Sequence, residues 1–179
     1  QFNLRTRVDS YAFDPSKPGV IYAGSSGLFR SEDNGKTWKL ILPVPESVIE
    51  EIKVGDEADN RYITNDDWPG GKVQAVFVDP EQSAHIYAGV NTRATLIDAR
   101  SKGSPGSLTV FHSPDSGKTW SRLVTMAGGR VFGFFVDTDT PPNNRTLYIF
   151  TSEGIYRGSV SGKNFELLGL PGGAEQISY

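Results

Sequence analysis

The chain of 179 residues contains no cysteine, only two histidines and a single methionine. Without cysteine it can form neither a disulfide nor a thiolate zinc site, and it has no cysteine nucleophile. Two histidines, His85 and His112, are too few for a histidine-rich metal centre. The composition therefore predicts no cofactor, and a calcium site in the acidic segment described below is the alternative.

Long apolar runs and an excess of positive charge are also missing. No stretch approaches the roughly 18 apolar residues of a membrane helix, and the N-terminal residues lack the basic-then-apolar pattern of a secretion signal. Eighteen Lys and Arg against 21 Asp and Glu give a net charge of -3, which is not the electrostatic footprint of a nucleic-acid binder. We expect no membrane span and no nucleic-acid partner, and a chain that is mature, cytosolic or part of something longer.

Turn residues and aromatics are abundant, and they recur in three copies of one unit. The chain has 20 Gly, 11 Pro, 3 Trp, 7 Tyr and 10 Phe. The units begin near residues 11, 75 and 132, with anchor aspartates Asp14, Asp79 and Asp137. In the first unit, Asp-Pro, Ser-Gly and Asn-Gly turns separate four strand-like runs at 8–13, 20–24, 28–31 and 37–42. Four short antiparallel strands per repeat are typical of a β-propeller blade.

The repeats predict an all-β chain with about three blades. We assign blade 1 to residues 1–43, a long acidic connection to 44–71, blade 2 to 72–125 with an insertion at 90–107, and blade 3 to 126–170. Residues 171–179 have the pattern of a first strand of a fourth blade. Closed propellers use about four to eight blades. We expect the missing blades of a six- to eight-bladed ring to come from the same polypeptide or from a second copy.

One motif occurs twice at the turn between the third and fourth strands, as SEDNGKTW at 31–38 and SPDSGKTW at 113–120. We expect its aspartate to accept backbone N–H bonds, its glycine to supply a positive φ and its tryptophan to pack between blades. The third unit has Val160 and Phe165 in place of Asp and Trp, so its turn should be less firmly locked. The motif residues are Ser31, Asp33, Gly35, Thr37, Trp38, and Ser113, Asp115, Gly117, Thr119, Trp120.

With this motif, the Asp-box, the chain resembles the Asp-box (BNR-repeat) propeller superfamily over nearly its whole length. The superfamily includes sialidases, xyloglucan-cleaving glycosidases, sortilin-type receptors and a photosystem assembly factor, and the spacing here is most similar to that of the last three. The resemblance implies the propeller fold, structural rather than catalytic box aspartates, and a secreted or periplasmic protein. It implies little about function, because the scaffold carries hydrolases, receptors and assembly factors alike.

Strand alternation predicts which loops share a face. The motif turns lie with the loops between first and second strands, so both long insertions, 44–71 and 90–107, fall on the opposite face, here called the insertion face. Loops beyond about 12–15 residues are usually functional or disordered. We therefore expect a glycan or protein ligand to bind on the insertion face.

The connection is acidic, with eight acids against two bases between residues 46 and 67. A solvated loop is one interpretation, and a calcium site at Asp56, Glu57 and Asp59, or at Asp66 and Asp67, is the other. The Ser47–Glu50 capping box predicts a short helix over 47–53 that stops at Gly55.

Five residues are candidates for ligand binding. Arg7, Lys72 and Arg130 each lie seven residues before an anchor aspartate, so they converge near the axis and could hold a carboxylate or phosphate, unless they are simply solvated. Trp68 is either a platform for a sugar ring or a tryptophan packed under its own loop. Arg93, in the basic insertion, either contacts ligand or pairs with the acidic connection.

The alternative function is a glycoside hydrolase, xyloglucanase- or sialidase-like. Hydrolysis needs two carboxylates about 5–5.5 Å apart for retention or 6.5–9.5 Å apart for inversion. Asp66 and Asp67 are the candidates, followed by Asp9, with the remaining catalytic groups outside this chain. The segment FNLRTRVDS lacks the Arg-Ile-Pro signature expected of sialidases. Neither RTRVDSY nor ITNDDWPGG reproduces the Arg-Thr-Asp-Ile-Gly-Gly signature of the xyloglucanase-like branch.

Overall fold

The computed structural model describes residues 7–54, 59–92, 106–162 and 164–169. These residues form three four-stranded antiparallel sheets and one two-stranded hairpin. Each four-stranded sheet has its strands in sequential order, as expected when short turns join neighbouring strands. The chain is thus all-β and has the architecture of a partial β-propeller, as the repeats predict.

The strands have the following bounds. Blade 1 contains β1 (Ser10–Phe13), β2 (Ile21–Gly24), β3 (Leu28–Ser31) and β4 (Lys39–Leu42). In the connection, β5 (Val48–Val54) pairs with β6 (Asp59–Thr64). Blade 2 contains β7 (Lys72–Val78), β8 (Ile86–Asn91), β9 (Ser107–Ser113) and β10 (Ser121–Ala127). Blade 3 contains β11 (Val131–Asp137), β12 (Thr146–Thr151), β13 (Gly154–Ser159) and β14 (Phe165–Leu167).

The predicted helix over 47–53 is wrong, because these residues belong to a short 3-10 turn (Pro45–Ser47) and to β5. Ser47 Oγ donates to the Val44 carbonyl at 2.7 Å instead of capping a helix. Four of the seven residues of β5 are β-branched, which favours extended backbone. The partner strand β6 supplies a ladder along the whole of β5, and this pairing outweighs the local capping pattern.

The blades pack face to face and bury two apolar layers. In the middle blade, Val76 and Val78 of β7 contact the layer shared with blade 1, whereas Ala75 and Phe77 contact the layer shared with blade 3. The innermost strand of blade 2 is apolar on both sides because it has a neighbour on each side. Burial of a large apolar side chain contributes roughly 1.5–3 kcal/mol, so these layers hold the blades together.

Hydrogen bonds between loops confirm the predicted grouping of loops on two faces. On one side, Asn34 N in the β3–β4 turn donates to Gly19 O in the β1–β2 loop at 3.1 Å. On the other side, Val73 N at the start of β7, just after the connection, donates to Ser25 O in the β2–β3 turn at 2.7 Å. Gly71 has φ 109°, and a Cβ there would lie 2.1 Å from the backbone oxygen of Asn91, so only glycine lets the connection pass against β8.

Candidate ligand-binding site

The two motif turns have the same internal hydrogen bonds. Asp33 accepts Thr37 N at 2.8 Å and the Thr37 hydroxyl at 2.6 Å, and Ser31 Oγ accepts Gly35 N at 2.8 Å. The Thr37 hydroxyl, followed by the Thr37 N–H, lowers the pKa of Asp33 to about 2. The second turn repeats these bonds with Ser113, Asp115, Gly117 and Thr119. Both carboxylates therefore hold their own turns together through hydrogen bonds.

The two motif tryptophans differ in what they bind. Trp38 Nε1 donates to Gly35 O in its own turn at 3.0 Å. Trp120 Nε1 donates to Gly117 O at 3.2 Å and also to Ile41 O of blade 1 at 2.8 Å. Its ring packs against the layer between blades 1 and 2. The second motif thus fastens blade 2 to its neighbour.

The third turn is held by different groups, as its altered sequence predicts. Ser159 Oγ accepts Ser161 N at 3.3 Å and Gly162 N at 3.4 Å. The hydroxyls of Ser159 and Ser161 both donate to Asn144 Oδ1. Long hydrogen bonds from these two N–H groups to the Ser159 hydroxyl take the place of the bonds to the carboxylate in the other two turns.

Three of the predicted site residues meet at one cavity of about 260 Å³. Asp66, Asp67 and Trp68 of the connection line it together with Trp120. The remaining walls come from β4 of blade 1 and from β9 and β10 of blade 2, and they include Leu42, Phe111 and Arg122. The cavity therefore extends from the connection to the start of β10, beside the second motif turn.

Trp68 is a wall of this cavity and not an open platform, because only 4% of its surface is exposed. Its ring lies 6.0 Å from the ring of Phe111, and it belongs to the layer between blades 1 and 2. The alternative that Trp68 packs under its own loop is the one that the structure supports. The connection is anchored over blade 2 by this ring, because burial of an indole removes a large apolar surface from water.

The two aspartates of the cavity have different surroundings. Asp66 Oδ1 accepts the backbone N–H of Trp68 at 3.0 Å, which fixes the turn that carries the tryptophan. Asp67 is exposed, and its backbone carbonyl accepts Arg122 Nη2 at 2.6 Å. The Arg122 guanidinium therefore ties β10 to the connection at the rim of the cavity.

Two of the three predicted axial cations converge on one carboxylate. Lys72 Nζ lies 3.6 Å from Asp9 Oδ2, and Arg7 Nε lies 3.6 Å from Asp9 Oδ1. Lys72 is buried, whereas Arg7 is almost fully exposed. Arg130 is also exposed, and its backbone N–H donates to Ser152 Oγ at 3.0 Å. Asp9, the third catalytic candidate, is thus held between cations.

Several other candidates fall outside the described residues. These are Arg93, Asp56, Glu57 and residues 171–179, and the side chain of Asp59. No group of three or more His, Asp or Glu side chains that could hold a metal ion occurs in the described ranges. Within those same ranges, no helix has the length and apolar character to cross a membrane.

Sequence reasoning missed the buried Arg145, which joins blade 3 to blade 2. Its Nε lies 3.3 Å from Asp79 Oδ2 and its Nη2 lies 2.7 Å from Glu81 Oε2. Its Nη1 donates to the carbonyls of Thr138 and Thr140, at 2.6 and 2.5 Å. The recurrence of the anchor Asp79 was visible in the sequence, but nothing local marks an arginine 66 residues later as its partner.

A second missed pair is formed by the two histidines. His112 Nε2 lies 3.1 Å from His85 Nδ1, and the His112 ring stacks on Tyr87 with centroids 4.9 Å apart. Burial, and then the neighbouring His85, lowers the pKa of His112 to about 4. His112 is therefore neutral at pH 7 and acts as a packing residue of blade 2.

The solved structures that this chain resembles are β-propeller proteins, whereas no protein-family model and no curated protein sequence matches it. A GH74 enzyme of Niastella koreensis is 17% identical with a TM-score of 0.51, over 87% of this chain and 20% of that one. An ancestral GH74 enzyme is 19% identical with a TM-score of 0.46, over 94% of this chain and 25% of that one. YCF48 bound to a D1 peptide is 15% identical with a TM-score of 0.48, over 92% of this chain and 42% of that one. The chain spans less than half of each, and the likeness shows the fold alone.

Proposed function

We propose that this chain is part of an Asp-box propeller that binds a glycan or protein ligand at its acidic connection, in the cavity between blades 1 and 2 and not, as the loop lengths suggested, on the face opposite the motif turns. The carrying observation is the cavity in which the rings of Trp68, Phe111 and Trp120 lie beside Asp66, Asp67 and Arg122. Apolar and aromatic walls with a few polar groups are the usual composition of a small-ligand site. We also propose that the protein is exported, as its resemblance to the superfamily implies.

A glycan is the ligand that we favour. Sugar rings offer an apolar face to aromatic walls and hydroxyl groups to carboxylates and guanidinium groups. The volume of about 260 Å³ lies just below the roughly 300–1,000 Å³ of pockets for drug-sized ligands. The cavity therefore suits one sugar unit of a glycan better than a long peptide.

The direct test is a glycan array of neutral and acidic oligosaccharides, followed by calorimetric titration of the best ligand. Arg122→Gln removes an exposed cation from the rim of the cavity, and we expect about a tenfold weaker Kd, equal to roughly 1.4 kcal/mol. Arg157→Gln, a change of an exposed arginine on β13 of blade 3, is the matched control and should leave Kd unchanged. Equal affinities of the wild type and Arg122→Gln would remove this cavity from the site.

The same experiment also tests whether the bound oligosaccharide is hydrolysed. Asp66 has one carboxylate oxygen engaged by the Trp68 N–H, and of the two carboxylates only that of Asp67 belongs to an exposed residue at the rim. Release of reducing ends from the bound oligosaccharide, abolished in Asp67→Asn, would favour a glycoside hydrolase. Binding without release supports a recognition module. If the array shows no glycan ligand, the next hypothesis to test is that the cavity binds a protein ligand.

A further inference from the structure

The charge around the cavity between blades 1 and 2 is negative. In the described part of the chain, the charged residues of its lining are Asp66, Asp67 and Arg122, so the acids outnumber the base. Both aspartates belong to the connection, in which residues 46–67 contain eight acids against two bases. An excess of one sign of charge favours ligands of the opposite sign and opposes ligands of the same sign. The cavity should therefore disfavour acidic sugars.

The arginine of this lining does not reverse the balance. Arg122 Nη2 donates to the Asp67 carbonyl at 2.6 Å, so the guanidinium is tied to the segment that carries the two aspartates. A guanidinium has five N–H donors in a fixed fork, and the donors beyond this bond can reach hydroxyl groups of a ligand. Arg122 is thus suited to orient a sugar ring through its hydroxyls, and this role needs no carboxylate on the ligand.

The aromatic walls add a preference for positive charge on the ligand. The rings of Trp68 and Phe111 lie with their centroids 6.0 Å apart, and Trp120 lines the same cavity. The face of an aromatic ring is electronegative and attracts an ammonium group within about 6 Å, most strongly when the ring is that of tryptophan. Aromatic rings together with carboxylates therefore make a lining that suits a ligand with an ammonium group.

We propose that the sugar bound in this cavity is an amino sugar with a free, protonated amine, such as a glucosamine unit. The inference rests on the proposed glycan-binding function and adds the substrate class to it. Asp67 is exposed at the rim, and its carboxylate pairs with the ammonium group. The apolar face of the sugar packs on the aromatic wall, and the Arg122 guanidinium donates to the hydroxyls.

The test compares glucosamine, N-acetylglucosamine, glucose and glucuronate, which differ from glucose by one group at most. Each sugar is titrated at about pH 6, where the amine is protonated, into the 15N-labelled chain, and the indole signals of Trp68 and Trp120 report Kd. Glucosamine should bind about tenfold more tightly than glucose, because its ammonium group contacts both the carboxylate and the rings. N-acetylglucosamine, whose amide is neutral, should lose this advantage, and glucuronate should bind most weakly.

A charge-removing variant locates the preference at the rim. Asp67→Asn should reduce the preference for glucosamine over glucose from about tenfold to about twofold. Asp139→Asn, the same change at an exposed position in the loop after β11 of blade 3, is the matched control and should keep the full preference. An equal preference in the wild type and in Asp67→Asn would overturn the inference.

The failure of this inference can be distinguished from failure of the proposed function. If glucose or glucuronate binds as tightly as glucosamine, the amino-sugar inference is overturned and the glycan site itself remains. If none of the four sugars moves the signals of Trp68 and Trp120, the proposed glycan site fails as well. The peptide Gly-Lys-Gly presents an ammonium group without a sugar. Tighter binding of this peptide than of glucosamine would indicate a lysine side chain of a protein ligand and would also overturn the inference.

Discussion

At the scale of single residues, the motif aspartates resemble catalytic residues in the sequence, but their hydrogen bonds assign them a structural role. Asp33 and Asp115 each accept two hydrogen bonds from the threonine four residues on. For Asp115, burial alone would raise the pKa, but the hydroxyl and N–H of Thr119 outweigh burial and the pKa is lowered. This role could be predicted from sequence, because the spacing that closes such a turn lies within eight residues.

The identity of the cavity walls could not be predicted in the same way. Trp68 was predicted as either platform or packed ring, and Trp120 only as a packing residue. They line one cavity because the connection folds back over β9 and β10, and a sequence does not encode that approach in any local spacing. Asp66 and Asp67 were predicted as catalytic candidates, and this stays a prediction; Arg122, whose side chain bonds the Asp67 carbonyl, lies 55 residues away and was not predicted.

The buried histidine predicts a pH dependence of stability. The pKa of His112 is about 4 in the folded chain and about 6.5 when unfolded, so the unfolded chain binds the proton first. The contribution of this group to stability is therefore complete above pH 6.5, falls between pH 6.5 and 4 by about 3 kcal/mol, and levels off below pH 4. Urea unfolding at a series of pH values measures the slope, and His112→Phe should remove most of it. An equal slope in both proteins would contradict the assignment.

At the scale of elements, pairing with a partner strand determines secondary structure where the local sequence pattern is misleading. The four strands of blade 1 were predicted from alternation and turn residues, and β3 was predicted with its observed bounds. The 47–53 segment was predicted as a helix from its capping box, and it is a strand because β6 pairs with it. A capping box describes one end of a segment, whereas pairing acts along its whole length.

The loops of blades 2 and 3 are joined by an ion pair whose loss should be costly. Arg145→Met leaves Asp79 buried without its cation, and we expect a loss of about 3–5 kcal/mol in the free energy of unfolding. Glu81→Gln removes the other carboxylate, which is largely exposed, so its loss should be about 1 kcal/mol or less. Chemical denaturation of both variants compares the two. Similar losses would mean that the buried pair does not fasten blade 3 to blade 2.

At the scale of the whole molecule, the propeller architecture follows from the repeat, while the function does not. Three units with the same four-strand pattern require a stack of blades, and the buried alternation of β7 shows that the stack is continuous through blade 2. Strand alternation predicted that both insertions share one face, and residues 93–105 of the second insertion lie outside the described residues. The same fold carries very different activities, so the site must be established by its own chemistry.

The three tryptophans allow the central claim, that the cavity between blades 1 and 2 binds a glycan, to be tested in one measurement. Each indole N–H gives a separate signal in a 15N-resolved NMR spectrum, and the best ligand from the glycan array can be titrated directly. We predict that the signals of Trp68 and Trp120 shift and saturate together, while that of Trp38, whose N–H bonds within its own turn, stays in place. Unmoved Trp68 and Trp120 signals at saturating ligand would contradict the account.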